Sequence, residues 1–191
     1  MPEMEFPQFD RFLISQNIVV ICAFAEGFLS NALRILCKSI SDPFKQWKAK
    51  QDDKVKSMNE SEILDQYVFE ITYGAFDKIL RRIENEFQFN IQASGTERKK
   101  IARLFLIRNC IVHNADLVSK FYKKRCEGTD NLAIGDEVPL PEAETEDLLD
   151  TLVDVVVAIY RSISIDLLKK PAERLMYGCY RNLPQEAFEP K

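Results

Sequence analysis

The chain contains one histidine, six glycines and no unbroken apolar run longer than eight residues among its 191 positions. Each scarcity removes a class of function. A single imidazole cannot build a zinc site that needs two or three, nor serve chemistry that needs two histidines, within one copy of the chain. There is no glycine-rich loop to cradle phosphates, so triphosphate and dinucleotide binding lack support. The run Ile18 to Ala25 stops at Glu26, well short of the roughly 18 residues that a membrane span requires. The start, Met1-Pro2-Glu3-Met4-Glu5-Phe6, is acidic where an export signal is basic and then apolar. Cysteine occurs five times, at positions 22, 37, 110, 126 and 179; an odd number at irregular spacings fits reduced thiols better than a disulfide framework. These absences lead us to expect a cytoplasmic protein with no membrane association, no cofactor and no metal.

What is present is an ordinary folding composition: 46% hydrophobic, 10% aromatic and 29% charged residues. That apolar content can bury enough surface to offset chain entropy, so disorder over most of the length is excluded and one domain is the default. Apolar residues from Phe9 to about Ser39 recur at three- and four-residue steps, which predicts a long, largely buried helix. Its interior carboxylate, Glu26, needs a partner, because a buried charge is costly unless paired. Asp42-Pro43 predicts an N-cap and a short helix through Phe44 and Trp47, followed by a polar linker from Lys48 to Glu60. Asn59 with Glu62, and Ser94 with Glu97, read as capping boxes opening two further helical segments. Gly74 marks a kink in the first of these, and Asn114 to Asp116 a break or bend in the second. The stretch from Asn131 to Leu140 has hairpin character, with Gly135-Asp136 as its turn. A last helix spans about Glu142 to Lys170. The expected fold is all-α: an up-and-down bundle of four to five main helices over residues 1–170, with a small hairpin-like excursion before the last long helix. Residues 171–191 form a C-terminal tail, packed on the bundle or partly mobile.

The formal net charge of −4 conceals a strong segregation. Between Thr96 and Arg125 nine basic residues stand against Glu97 and Asp116, a local balance of +7. From Cys126 to Tyr160 there are ten acidic residues and no lysine or arginine. A basic strip of this kind suits a phosphate backbone. The alternative is that the two blocks neutralise each other inside the fold.

The only histidine lies in Arg108-Asn109-Cys110-Ile111-Val112-His113-Asn114. On a helix Asn109 and His113 are i and i+4 and share a face. Arg108 lies about 140° from His113 by helical angle, but its side chain is long enough to bend back. Such a set suits a phosphodiester: arginine neutralises charge growing on the non-bridging oxygens, histidine moves a proton, and asparagine orients one of them. The competing reading is structural, with His113 half-buried in a helix interface and Arg108 in a surface salt bridge. Cys110 and His113 have the i, i+3 spacing of half a metal site, but no second pair stands at useful spacing. Phe44, Trp47 and the C-terminal tyrosines suit base stacking, though their spacing equally fits packing.

Arg108, Asn109 and His113, followed by Asn114 and then Leu117-Val118-x-x-Phe121-Tyr122, resemble the Arg-x4-6-His signature of the HEPN superfamily of all-helical domains. The first helix, with Ala23-Phe24-Ala25-Glu26-Gly27-Phe28-Leu29, resembles the family's first helix and its acidic residue. The Gly135-Asp136-Glu137-Val138-Pro139-Leu140 excursion is similar to a hairpin of some bacterial members. The likeness runs from Phe9 to Lys170. It implies metal-independent endoribonuclease activity, in which a ribose 2′-hydroxyl attacks the neighbouring phosphate. In this sequence the resemblance implies Arg108, His113, Asn109 and Glu26 as catalytic residues. RNA contacts are expected from Lys99, Lys100, Arg103, Asn114, Lys120, Lys123 and Lys124. Family members often serve as toxins or phage-defence effectors, with an antitoxin or a defence-complex partner. Other members have lost catalysis and only bind RNA or protein. The chain departs from one subfamily at Ala115, where members modified by a nucleotidyltransferase antitoxin carry tyrosine. Because one chain supplies one imidazole, while the reaction is best served by both a base and an acid, a symmetric homodimer with a composite site is expected.

Overall fold

The computed structural model describes residues 7–126 and 131–169, so the expected tail lies outside the described residues. Among these residues the fold is all-α. The elements are α1 (Pro7–Ser39), α2 (Asp42–Ala49), α3 (Asp53–Lys56), α4 (Glu60–Thr72), α5 (Phe76–Phe87), α6 (Gly95–Asn114), α7 (Lys120–Arg125) and α8 (Glu142–Arg161). The last helix ends at Arg161 as an α-helix and continues as a π-helical segment, Ser162–Leu167, rather than running unchanged to Lys170.

Local signals set most boundaries. Asn59 accepts from the Glu62 N–H at 2.9 Å, and the Glu62 carboxylate accepts from the Asn59 N–H at 3.1 Å, closing the box that opens α4. Ser94 and Glu97 do the same for α6, at 3.2 and 2.6 Å. At α2 the cap is Ser41, with Asp42 already in the first turn. The expected polar linker contains α3, capped by the Asp52 carboxylate on the Val55 N–H. At Gly74 the chain breaks rather than kinks. Gly74 has φ +121°, and Arg82 Nη1 donates to the carbonyls of Glu70 at 3.1 Å and Tyr73 at 2.6 Å, satisfying oxygens that the end of α4 leaves without helical partners.

Contacts between elements fix their directions. Lys100 and Arg103 of α6 meet Asp147 and Glu144 of α8, so these two helices run antiparallel. Phe76 stacks on Phe105 with centroids 4.5 Å apart while Glu84 meets Arg98, which makes α5 antiparallel to α6. Glu26 meets Arg108 and Ser15 meets Asp116, which makes α1 antiparallel to α6 as well. The inner face of α1 is Ile18, Cys22, Leu29, Leu33 and Leu36, none more than 1% exposed. It packs on α4, α6 and α8, where Leu104, Ile107, Leu152 and Val155 complete the core. Burying side chains of this size stabilises a fold by about 1.5–3 kcal/mol each.

Two expectations change. No strand forms among the described residues. The 131–140 segment does turn, but one residue earlier than expected, over Ala133–Asp136 with Ile134 and Gly135 at its centre, the Asp136 N–H donating to the Ala133 carbonyl at 3.2 Å. Its partner, however, is the chain after α6: Val118 N–H donates to the Asp136 carbonyl and Val138 N–H to the Asp116 carbonyl, both at 2.8 Å, forming an isolated antiparallel bridge at Leu117 and Glu137. Nor is α1 largely buried. Over Phe9–Ser39 it is long and apolar enough to cross a membrane by length and mean hydropathy (1.8), and only 28% of that apolar window is buried. Phe9, Leu13, Val20 and Phe24 are exposed and fall within about 60° of one another around the helix.

The hydrogen bonds from Ser94 hold the Glu97 carboxyl below its ordinary value. A depressed carboxyl contributes stability above the usual carboxylate range, and that contribution is lost as pH falls through its folded pKa. Ser94→Ala is therefore expected to cost about 1 kcal/mol at neutral pH, and less in acid, as read by urea denaturation at pH 7 and pH 3.

Candidate active site

The partner that Glu26 requires is Arg108. Its Nη2 lies 3.3 Å from Glu26 Oε2, and its Nη1 donates to Asn109 Oδ1 at 3.1 Å. The two side chains are 22% and 43% exposed, so the pair sits at the seam between α1 and α6 rather than inside the core. An ion pair this open contributes at most about 1 kcal/mol. Its effect is mainly to aim the guanidinium. Cys22 lies behind the pair, fully buried. Desolvation pushes its thiol up to about 12, against the pull of Arg108 and with a smaller push from Glu26. Cys22 is thus a protonated packing group, not a nucleophile.

Hydrogen bonds join Arg108 to Glu26 and Asn109, and His113, one turn on from Asn109 along α6, takes no part in them. His113 and Asn114 are exposed in the last turn of α6, while the Arg108 head group is engaged toward α1. Cys110 points inward and lies 3.9 Å from Ser119 Oγ. Among the described residues no cluster of three His, Cys, Asp or Glu could hold a metal ion.

The basic strip divides in two. On α6, Lys100 is 2.7 Å from Asp147 and Arg103 is 2.6 Å from Glu144, so these two expected RNA contacts are committed to the acidic face of α8. Arg98 makes a two-pronged pair with Glu84 at 2.6 and 3.0 Å and also donates to the carbonyls of Ile91 and Ala93, fastening the loop between α5 and α6. Lys99 is exposed on the same helix. On α7, Lys120 and Lys124 are exposed, Lys123 donates to the Leu132 carbonyl at 2.6 Å, and the Arg125 guanidinium lies 4.6 Å over the exposed Phe121 ring. The first half of the strip is largely structural. The second presents cations and an aromatic ring to solvent.

The end of α6 sets where His113 stands. Ala115 and Asp116 both adopt left-handed backbone, φ +50° and +65°, which side chains with a Cβ disfavour. The bridge to 135–138 and the Ser15 hydroxyl, 3.3 Å from Asp116 Oδ2, hold this sharp stop. Strain of this kind is characteristic of functional sites.

No family model, characterised protein or solved structure matches this chain.

Two features lie outside the sequence expectations: the exposed apolar face of α1, and a small pocket beside Glu26 lined also by Leu29, Ser30, Thr72 and Ile79. The α1 periodicity carried the first signal, since a helix apolar on all sides leaves one side over. The pocket had none, because it joins α1 to residues more than forty positions away.

Ala115→Gly removes one left-handed penalty at a position with no other demand on its side chain. It is expected to raise stability by about 1 kcal/mol, measured as a higher urea midpoint with an unchanged slope.

Proposed function

We propose that this protein is a metal-independent endoribonuclease of the HEPN type, acting as a toxin or phage-defence effector. The observation that carries the reading is the Arg108 guanidinium, anchored by Glu26 and Asn109 at an open seam, on the same helix as the solitary exposed His113. In the reaction the ribose 2′-oxygen attacks the adjacent phosphorus as it loses its proton to a base. The bond from phosphorus to the 5′-oxygen breaks, and that oxygen takes a proton from an acid. The products are a 2′,3′-cyclic phosphate and a free 5′-hydroxyl. Arg108 neutralises the non-bridging oxygens, His113 moves a proton, and the α7 cations guide the backbone.

Two proton transfers and one imidazole per chain call for a second copy. The apolar face of α1 supports one. Phe9, Phe12 and Phe24 are 59%, 56% and 75% exposed, together on the order of 300 Å² of ring surface; Leu13 and Val20 add to it. That is a substantial part of the ~800 Å² per partner that a standard interface buries. The contacts of Ser15 with Asp116 and of Glu26 with Arg108 run along one edge of α1, on the side of Phe12, and carry the end of α6 that holds His113. A two-fold axis here brings two Arg108 and His113 sets to one cleft.

One observation favours a second reading, a non-catalytic module that binds RNA or a partner protein: the Arg108 head group is turned toward Glu26, not His113. That module binds RNA without turnover and keeps its affinity in His113→Ala.

His113→Ala and Arg108→Ala are each expected to lower RNA cleavage at least ~100-fold with circular dichroism and dimer mass unchanged, and EDTA to have no effect. Cleavage retained in His113→Ala, or stopped by EDTA, overturns the mechanism. Phe24→Glu is expected to give a folded monomer by sedimentation, with cleavage lost; a monomeric wild type that cleaves RNA removes the composite site.

A further inference from the structure

Beside the ion pair, between α1 and the α4–α5 connection, lies a cavity of about 140 Å³ lined by Glu26, Leu29, Ser30, Thr72 and Ile79. It is smaller than the ~300–1,000 Å³ of pockets for larger ligands, a scale that suits one flat heterocycle. Leu29 and Ile79 are buried and apolar, and Ser30 and Thr72 are the hydroxyl-bearing residues of its lining. The Thr72 hydroxyl donates to the Val68 carbonyl at 2.8 Å, which leaves its oxygen lone pairs for a ligand donor. Glu26 lines the cavity and spends Oε2 on Arg108, with Oε1 in no hydrogen bond among the described residues. Immediately around this end of α4, Phe69 and Tyr73 form an exposed aromatic pair with centroids 5.6 Å apart, a surface of the kind on which bases stack.

We infer that this cavity is a nucleobase site selective for an amino-bearing base, cytosine or adenine. Glu26 Oε1 accepts the exocyclic amine N–H, as carboxylates do from cytosine N4, and the Ser30 hydroxyl donates to the neighbouring ring nitrogen. Uracil presents a carbonyl oxygen where the carboxylate stands and is repelled. Guanine offers two adjacent donors that need both carboxylate oxygens, one of which Arg108 holds. Glu26 lines the cavity and holds Arg108 at once, so the inferred base site adjoins the guanidinium that the ribonuclease reading assigns to the phosphate. The site therefore deepens the ribonuclease reading, on which its role in choosing the cleaved bond rests.

The test is titration of the full chain with the 3′-monophosphates of cytidine, adenosine, uridine and guanosine, followed by calorimetry, since binding is read whether or not RNA is cleaved. The cytidine or adenosine nucleotide is expected to bind at least tenfold tighter than the uridine and guanosine nucleotides. Ser30→Leu, which fills the cavity from its half-buried wall, is expected to remove that binding. Thr72→Val, close to isosteric, provides a second variant should Ser30→Leu fail to fold, and is expected to weaken binding severalfold. Equal binding of all four nucleotides, binding of none, or binding untouched by both variants overturns the inference. Cleavage by wild type without selective nucleotide binding removes the base site and leaves the ribonuclease. Selective binding without cleavage keeps the site and removes the ribonuclease.

Discussion

The first helix is apolar around more of its circumference than α4, α6 and α8 can cover. Its inner side, with Ile18, Cys22, Leu29 and Leu36, is the centre of the core. Its outer side, with Phe9, Leu13, Val20 and Phe24, is left to solvent in one copy. That imbalance orders the surface around it. Two polar interruptions of α1 fall along one boundary between the two sides: Ser15 reaches Asp116 and Glu26 reaches Arg108. The end of α6 is thereby fixed beside the uncovered face. A site assembled at that seam has a rigid wall on one side and an unfilled apolar surface on the other.

Gly27 belongs to the same picture. It lies near the middle of α1 on the exposed side, and a Cβ built there meets nothing within 4 Å. Glycine inside a helix is about 1 kcal/mol less favourable than alanine, and no contact among the described residues requires it. Close approach by a second helix would.

Features set by neighbours in sequence were legible before the structure. Both capping boxes, at Asn59 with Glu62 and Ser94 with Glu97, needed only three residues of separation. That Glu26 needs a partner was legible too; that the partner is Arg108, 82 positions away, was not, because nothing local encodes it. Where the sequence reading strayed, a distant group had intervened. Gly74 breaks the chain instead of kinking it because Arg82 holds the carbonyls at the end of α4. The turn falls one residue before the expected Gly135-Asp136, and its segment pairs with Asp116 and Val118 instead of with itself. Periodicity found α1 and could not say which of its apolar sides faces inward. The basic strip was counted correctly, yet a tally of charges does not reveal that Lys100 and Arg103 face α8 while α7 faces solvent. The roles proposed for Arg108, Asn109 and His113 rest on the resemblance, to which the structure adds the bonds of Arg108 to Glu26 and Asn109.

The separation of the cations into two environments has a consequence for behaviour in salt. Lys120 and Lys124 stand in water, where at physiological ionic strength their reach is screened within about 8 Å. Arg108 lies at a partly enclosed seam, touching its carboxylate directly, where mobile ions screen much less. Raising the ionic strength therefore loosens the long-range capture of a polyanion well before it disturbs the guanidinium that would meet the reacting phosphate. For the ribonuclease proposed above, encounter and chemistry would then be electrostatically uncoupled: the first follows the salt concentration of the surroundings, and the second stays insulated from it.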